Sequence, residues 1–385
     1  MRRFLTATAM LILGGIAASA QSMDDLNLQF HGYATQGFLY TTNNNILTTN
    51  SSTGSPAWTE AVINIGAQPT PRLRVAVQAR YELLGLYSNE ISIDFAAVDY
   101  KVNDRFGVRF GKVKTPSGLF NEIQDIDPSY MWSLLPQSVY PISSRNAQLS
   151  HYGGVVYGTV HLSDLGKLEY RAWGGEAVLA SNDGYFTDLK EAGIALPDGL
   201  KGVQSGAALH WKTPLPGLTI GASDILEGAQ SSPMTAGNGS YTGTLSVGRF
   251  NRPDYFAEYD RGRLMVAGEF VRTGSTSTTQ LTGLPSVVTP FDKRGYYAMG
   301  AYKFGEKVSA GAYYSQYVDK SVAPGPTRFQ NDLALSGRYD FNQYLYAKAE
   351  EHFLDGTSIL YDTSLNPNGL APKTKMTILK IGVSF

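Results

Sequence analysis

The sequence predicts an all-β fold, a transmembrane antiparallel β-barrel of sixteen strands. Three observations predict it. Segments with period-2 alternation recur from Leu26 to the last residue, Phe385. The connections between them alternate long and short. After the N-terminus, no stretch is apolar and long enough to cross a membrane as a helix. A strand with one apolar and one polar face belongs between lipid and water, and short turns at one end with long loops at the other is the barrel pattern.

The first strand is Leu26 to Thr42, followed by a polar loop to Pro56. The second, Trp58 to Ala67, turns at Gln68-Pro69-Thr70-Pro71 into the third, Leu73 to Leu83. There Leu73, Val75, Val77, Ala79 and Tyr81 share one face, and Arg74, Ala76, Gln78, Arg80 and Glu82 the other. The fourth, Ile91 to Val102, slips phase near Ala96-Ala97, which suggests a bulge. Asn103-Asp104 turns it into the fifth, Arg105 to Gly111. After a long interruption the rhythm resumes in His151–Leu162 and Leu168–Gly175. A loop with a short helix near Thr187–Ala192 leads to Gly206–Thr213, and Pro214 to Gly217 turns that strand into Leu218–Leu226. A Gly/Ser/Thr-rich loop reaches Pro253. Asp254–Asp260 and Leu264–Val271 are joined by Arg261-Gly262-Arg263, and Arg272 to Arg294 reads as another loop. Tyr296–Lys303, Val308–Val318, Asn331–Asp340, Tyr344–Phe353 and Lys375–Phe385 complete the set.

Composition agrees. Of 385 residues, 41 are Gly, 24 are Tyr and 17% are charged, below the roughly 25% of a soluble domain. Residues 1–20 read as a cleaved signal peptide. Arg2 and Arg3 precede an apolar run from Phe4 to Ile16, and Ala18-Ser19-Ala20 is a small-residue cleavage site. The domain is then 21–385, exported to the bacterial outer membrane. Without Arg2 and Arg3, the 32 Lys+Arg become 30 against 33 Asp+Glu, so the mature chain is slightly acidic and no basic footprint suggests nucleic acid. Absence of cysteine removes disulfide and thiol chemistry. The five histidines, His31, His151, His161, His210 and His352, have no metal-binding spacing. No cofactor or metal is expected, and no histidine stands in a motif with a nucleophile, which argues against a barrel enzyme. A structural or adhesion barrel is the remaining alternative of another class.

The interruption, Gly111 to Pro141, reads GKVKTPSGLFNEIQDIDPSYMWSLLPQSVYP. Loops this long are functional or disordered, and its aromatic and aliphatic residues must pack on something. By parity it is the third loop on the long-loop side, Lys114 to Ser150. The reading is that it folds inward and narrows a pore, with Glu122, Asp125 and Asp127 facing water. Arg74, Arg80 and Arg109 oppose them from the charged faces of strands three and five. Lys112 and Lys114 are pore-lining or lie in the outer girdle, since strand phase is lost there. Lys348, Glu350 and His352 share one face of the fifteenth strand, as a polar lumen or as an ion-pair network. Tyrosines near strand ends (Tyr40, Tyr81, Tyr100, Tyr157, Tyr259, Tyr302, Tyr339) suit an interfacial girdle.

The closing strand KMTILKIGVSF resembles the terminal strand of bacterial outer-membrane barrels. The resemblance implies that Phe385 is a barrel-assembly signal read by the assembly machinery. Strand count, loop order and this ending make the mature chain similar to the bacterial porins. That similarity implies passive diffusion of small hydrophilic solutes and ions, constriction by the third external loop, a homotrimer, and surroundings of outer-membrane lipid and lipopolysaccharide. FHGYATQGFLY (Phe30–Tyr40) together with the Gly111–Pro141 stretch resembles a group of porin-like outer-membrane proteins. The core G-K-x-K-x-P-x-G-L, with Gly111, Lys112, Lys114, Pro116, Gly118 and Leu119, is also similar to the phosphate-selective O/P-type porins. It implies the alternative of an anion- or substrate-selective pore.

Overall fold

The alternation of the third strand becomes a wall in the computed structural model, which describes residues 26–385. The expected signal peptide lies outside the described residues. On β3 (Leu73–Leu84), Gln78, Arg80 and Glu82 point inward and are buried, while Val75 and Val77 are exposed on the outside. The same inversion holds around the wall, with Ile63, Phe110, Leu209, Leu335 and Ile381 among the exposed outer residues. An apolar outer surface around a polar interior is stable only in lipid.

The wall is a closed antiparallel barrel of 16 strands. It comprises β1 (Gln29–Thr41), β2 (Ser55–Thr70), β3, β4 (Ser88–Asn103), β5 (Phe106–Lys114), β6 (Ser150–His161), β7 (Lys167–Leu179), β8 (Leu200–Lys212) and β9 (Leu218–Glu227). Two short strands, β10 (Gln230–Ala236) and β11 (Tyr241–Val247), follow. Then come β12 (Phe250–Arg261), β13 (Leu264–Leu281), β14 (Val287–Lys303), β15 (Val308–Asp319), β16 (Phe329–Asp340), β17 (Leu345–Gly356) and β18 (Lys373–Ser384). Each wall strand pairs with its sequence neighbours, except that β9 pairs directly with β12. The seam closes between β1 and β18, with Gln36 opposite Ile381. Phe385 adds a pair of backbone bonds to Gly32, both 3.0 Å. Its ring lies where a Cβ on Gly32 would sit 2.7 Å away.

Two stretches read as loops are strands. β10 and β11 form a hairpin that leaves the wall and leans on the far half of β13, Gly243 opposite Leu281. The Arg272–Arg294 segment is the continuation of β13 and β14, paired as far as Thr279 and Val287. Their Ser- and Thr-rich sequences lack an apolar face, because beyond the membrane neither face meets lipid, yet β-branched threonine still favours extended backbone. The bulge of β4 falls where register shifts between Phe95 and Ile93, slightly before the expected Ala96-Ala97. A helical turn occupies Thr187–Glu191, as expected. Around the short-turn end, Tyr302 stacks edge-on with Phe304 and Tyr339 with Phe341, while Phe106, Tyr344 and Phe385 stand exposed beside them in the girdle. Tyr157 is an exception to the expected girdle, because its hydroxyl turns inward to Asp99.

Candidate pore constriction

The loop from 115 to 149, here L3, folds into the barrel. Its base is closed by Thr115 N–H on the Leu149 carbonyl at 2.8 Å. At Gly118 the chain takes φ +64°, and three successive N–H groups find partners: Gly118 donates to Ser223 Oγ (3.0 Å), Leu119 to Glu269 Oε1 (3.0 Å) and Phe120 to the Tyr140 hydroxyl (2.8 Å). These bonds fasten the leading turn to β9 and β13. Successive i→i+3 backbone bonds at Ile123, Ile126 and Ser129 carry the chain across the lumen.

On the far side L3 meets a ring of charge. Asp127 sits between Lys348 (3.0 Å) and Lys380 (2.9 Å) and accepts from the Tyr346 hydroxyl (2.7 Å). Burial acts to raise the Asp127 carboxyl, but Lys348 and Lys380 outweigh it and hold the group well below the usual carboxylate range. Lys348 also donates to the Asp127 and Trp132 carbonyls, at 2.8 and 2.9 Å. Glu350 accepts from Ser133 N–H and Leu134 N–H at 3.0 and 3.1 Å. His352 backs Glu350 and contacts Asp332 through its other ring nitrogen. Arg145 returns the loop to β4 through a two-pronged pair with Asp94.

The apolar residues of L3 have a wall of their own. Phe120, Met131, Trp132, Leu135, Val139 and Tyr140 pack on Ala267, Val271, Tyr297, Met299, Tyr313 and Ala334, from β13 to β16. Glycines admit them: a Cβ at Gly295 would lie 1.9 Å from the Ser138 carbonyl, and one at Gly311 would lie 3.0 Å from the Trp132 ring. Leu134 joins Ile46, Leu47 and Leu360, so the first and last long loops press on L3 from outside.

The structure therefore separates the residues expected at the site. Glu122 alone of the three carboxylates meets water, 32% exposed, between Arg109 (3.7 Å) and Arg171 (3.4 Å). Arg109 also pairs with Asp99 at 2.9 Å. Asp125 and Asp127 do not face water. Both are almost fully buried, because wall cations and hydroxyls converge on them. Asp125 pairs with Lys114 at 2.7 Å and takes a hydrogen bond from Gln78. Arg80 is buried between Glu60 and Glu82. Arg74 lies exposed near the short-turn end, away from the loop. Lys112 is on the outer face, over the Tyr152 ring with its ammonium on the Ile93 carbonyl, so it is not pore-lining. Lys348 and Glu350 point inward but lie covered by L3, as a network and not as open lumen. Arg171, Lys380 and Arg145 were not singled out from sequence. Arg171 and Lys380 stand on inward faces of predicted strands, a signal that could have found them.

Between L3 and β2, β3 and β18 remains a cavity of about 40 Å³ bordered by Glu60, Arg80, Gln124, Tyr130, Arg145 and Lys380. It has room for water and not for a hydrated solute. Open water instead meets L3 along Glu122 and Ile123 and meets the wall at Arg109 and Arg171.

No protein-family model matches the chain, and no curated protein matches it. Solved structures do. OmpF of Salmonella typhi, in complex with daunomycin, is 14% identical with a TM-score of 0.57, over 95% of this chain and 99% of that one. The anion-selective porin of Comamonas acidovorans is 12% identical with a TM-score of 0.56, over 93% and 99%. The trimer form of OmpT, an outer membrane protein of Vibrio cholerae, is 12% identical with a TM-score of 0.54, over 93% and 99%. The chain shares its fold, along nearly its whole length, with these outer-membrane proteins.

Proposed function

We propose that this chain is an outer-membrane channel for passive diffusion of small hydrophilic solutes and ions, narrowed by L3. The observation that carries the reading is the half-exposed carboxylate of Glu122 on L3, set against Arg109 and Arg171 of the wall. Opposed charges at a narrowing order water and select polar solutes. Purified protein in a planar bilayer is expected to conduct in discrete steps. Glu122→Gln removes the anion between two cations, so its reversal potential in a salt gradient shifts toward anions. An unchanged reversal potential would show that Glu122 is not at the selective rim. A barrel enzyme or adhesin would give no steps, and that result would overturn the reading.

Export with cleavage after Ala20, lipopolysaccharide contacts and a homotrimer belong to the same proposal. A neighbour of this fold is described in a trimer form, and mass in mild detergent tests the assembly here. Phe385 is proposed as the assembly signal, supported by its position at the closing seam beside Gly32. Deleting it is expected to reduce the heat-modifiable folded band in membranes while leaving synthesis intact. A normal band would remove it from that role.

A further inference from the structure

Under Gly118 two carboxyl groups face each other, and among the described residues no cation forms an ion pair with either. Asp254 on β12 is fully buried, and among the described residues no donor reaches either of its carboxylate oxygens. Glu269 on β13 is within hydrogen-bonding reach of it. A Cβ built on Gly118 would lie 2.3 Å from Glu269 Oε1 and 2.8 Å from Asp254 Oδ2, so both oxygens converge on the leading turn of L3.

The surrounding groups satisfy one carboxylate and not the other. Glu269 accepts from the Tyr140 hydroxyl of L3 (2.7 Å), the Tyr297 hydroxyl of β14 (2.6 Å) and Leu119 N–H (3.0 Å). From β9, Ser223 directs its oxygen to Gly118 N–H and to the Ser117 hydroxyl. Arg252, two residues along β12, favours the Asp254 anion through space, but it forms no ion pair with it and donates instead to the Val139 carbonyl. From β8, His210 stacks edge-on against Phe256 and contacts Arg171. Two carboxylates offer only acceptors, so a hydrogen bond between them exists only if one carries a proton. A buried carboxylate left without a donor or an ion-pair partner is strongly disfavoured.

We propose that Asp254 and Glu269 share a single proton, and that this proton latches the leading turn of L3 to the wall. The inference rests on the reading of L3 as the constriction. Asp254 donates and Glu269 accepts, completing the donors that Tyr140, Tyr297 and Leu119 supply. Loss of the proton sets two buried anions against each other beneath Gly118. The turn from Ser117 to Phe120 then lifts, and Glu122, two residues on, leaves Arg109 and Arg171. Asp254→Asn is neutral and keeps a donor toward Glu269, so it holds the latch without a titrating proton.

The test records single-channel conductance from neutral to alkaline pH in wild type and in Asp254→Asn. Wild-type conductance is expected to rise at alkaline pH, and Asp254→Asn is expected to lose that rise. Infrared spectroscopy reads the proton without needing a pore: wild type at neutral pH should show a protonated-carboxyl C=O band that Asp254→Asn lacks. The same pH course in both proteins, or no such band in wild type, overturns the proposal. If no conductance is seen at all, the channel reading fails while the infrared band still decides the shared proton. If Asp254→Asn does not insert, absence of the band from wild type overturns the proposal, and its loss on alkalinisation supports it.

Discussion

Excision of Phe120 to Pro136 is expected to raise single-channel conductance several-fold. The wall does not depend on this segment, since its ladder is closed from β1 to β18 without it. What the excision uncovers is polar. Lys348, Glu350 and Lys380 lose their L3 partners, but water enters the same space, so the charges are rehydrated and not stranded. A wall of sixteen strands then encloses an aqueous channel. The apolar inner patch of Ala267, Val271, Tyr297 and Met299 is exposed to that water, and a modest loss of thermal stability is expected alongside. Unchanged conductance would place L3 outside the conduction path and end the constriction reading.

Asp127→Ala is expected to do more damage to stability than removal of the whole segment. Here L3 stays in place and keeps water out, so Lys348 and Lys380 remain buried without their shared counter-charge. Removing one partner of a buried pair costs about 3–5 kcal/mol. The midpoint of denaturant- or heat-induced loss of the folded band should fall accordingly, and the conductance should become noisier as L3, still seated, fluctuates more against β17 and β18. The sign of the pH dependence follows from the lowered Asp127 group. Its stabilisation is present above the ordinary carboxylate range and is lost as pH falls through the lowered value, so acid should weaken the wild type and leave Asp127→Ala comparatively unaffected. Equal midpoints for the two proteins at neutral pH would show that the clasp contributes nothing.

The wall was legible because lipid on one side and water or loop on the other impose a period of two; β3 and β18 show it residue by residue. The same rule failed beyond the membrane, where β10, β11 and the outer half of β13 have no apolar face to reveal them. Asp127 was recognisable as a loop carboxylate near a pore, but its environment was not. Lys348 and Lys380 lie far along the chain, and only the closed barrel brings them to it. Gly295 and Gly311 likewise read as ordinary strand glycines until Ser138 and Trp132 are seen against them. Arg171 stood on the inward face of a predicted strand, so its side was legible, but its pairing with Glu122 was not, because only the closed barrel brings the two together.

The pairing of β1 with β18 joins the two ends of the chain. Until Ser384 reaches Tyr33, the nascent sheet has two bare edges, each offering unpaired backbone groups to any other strand. Every wall pairing that does not use β18 is available earlier in the chain, and β18 meets β17 as its sequence neighbour, so the junction with distant β1 is the last to form in synthesis order. The thermodynamic cost of bringing distant ends together grows only slowly with length. The danger is one of timing, because an open sheet of this size can join a second open sheet before it joins itself. Healthy biogenesis of this chain is therefore a race between self-closure and intermolecular zippering.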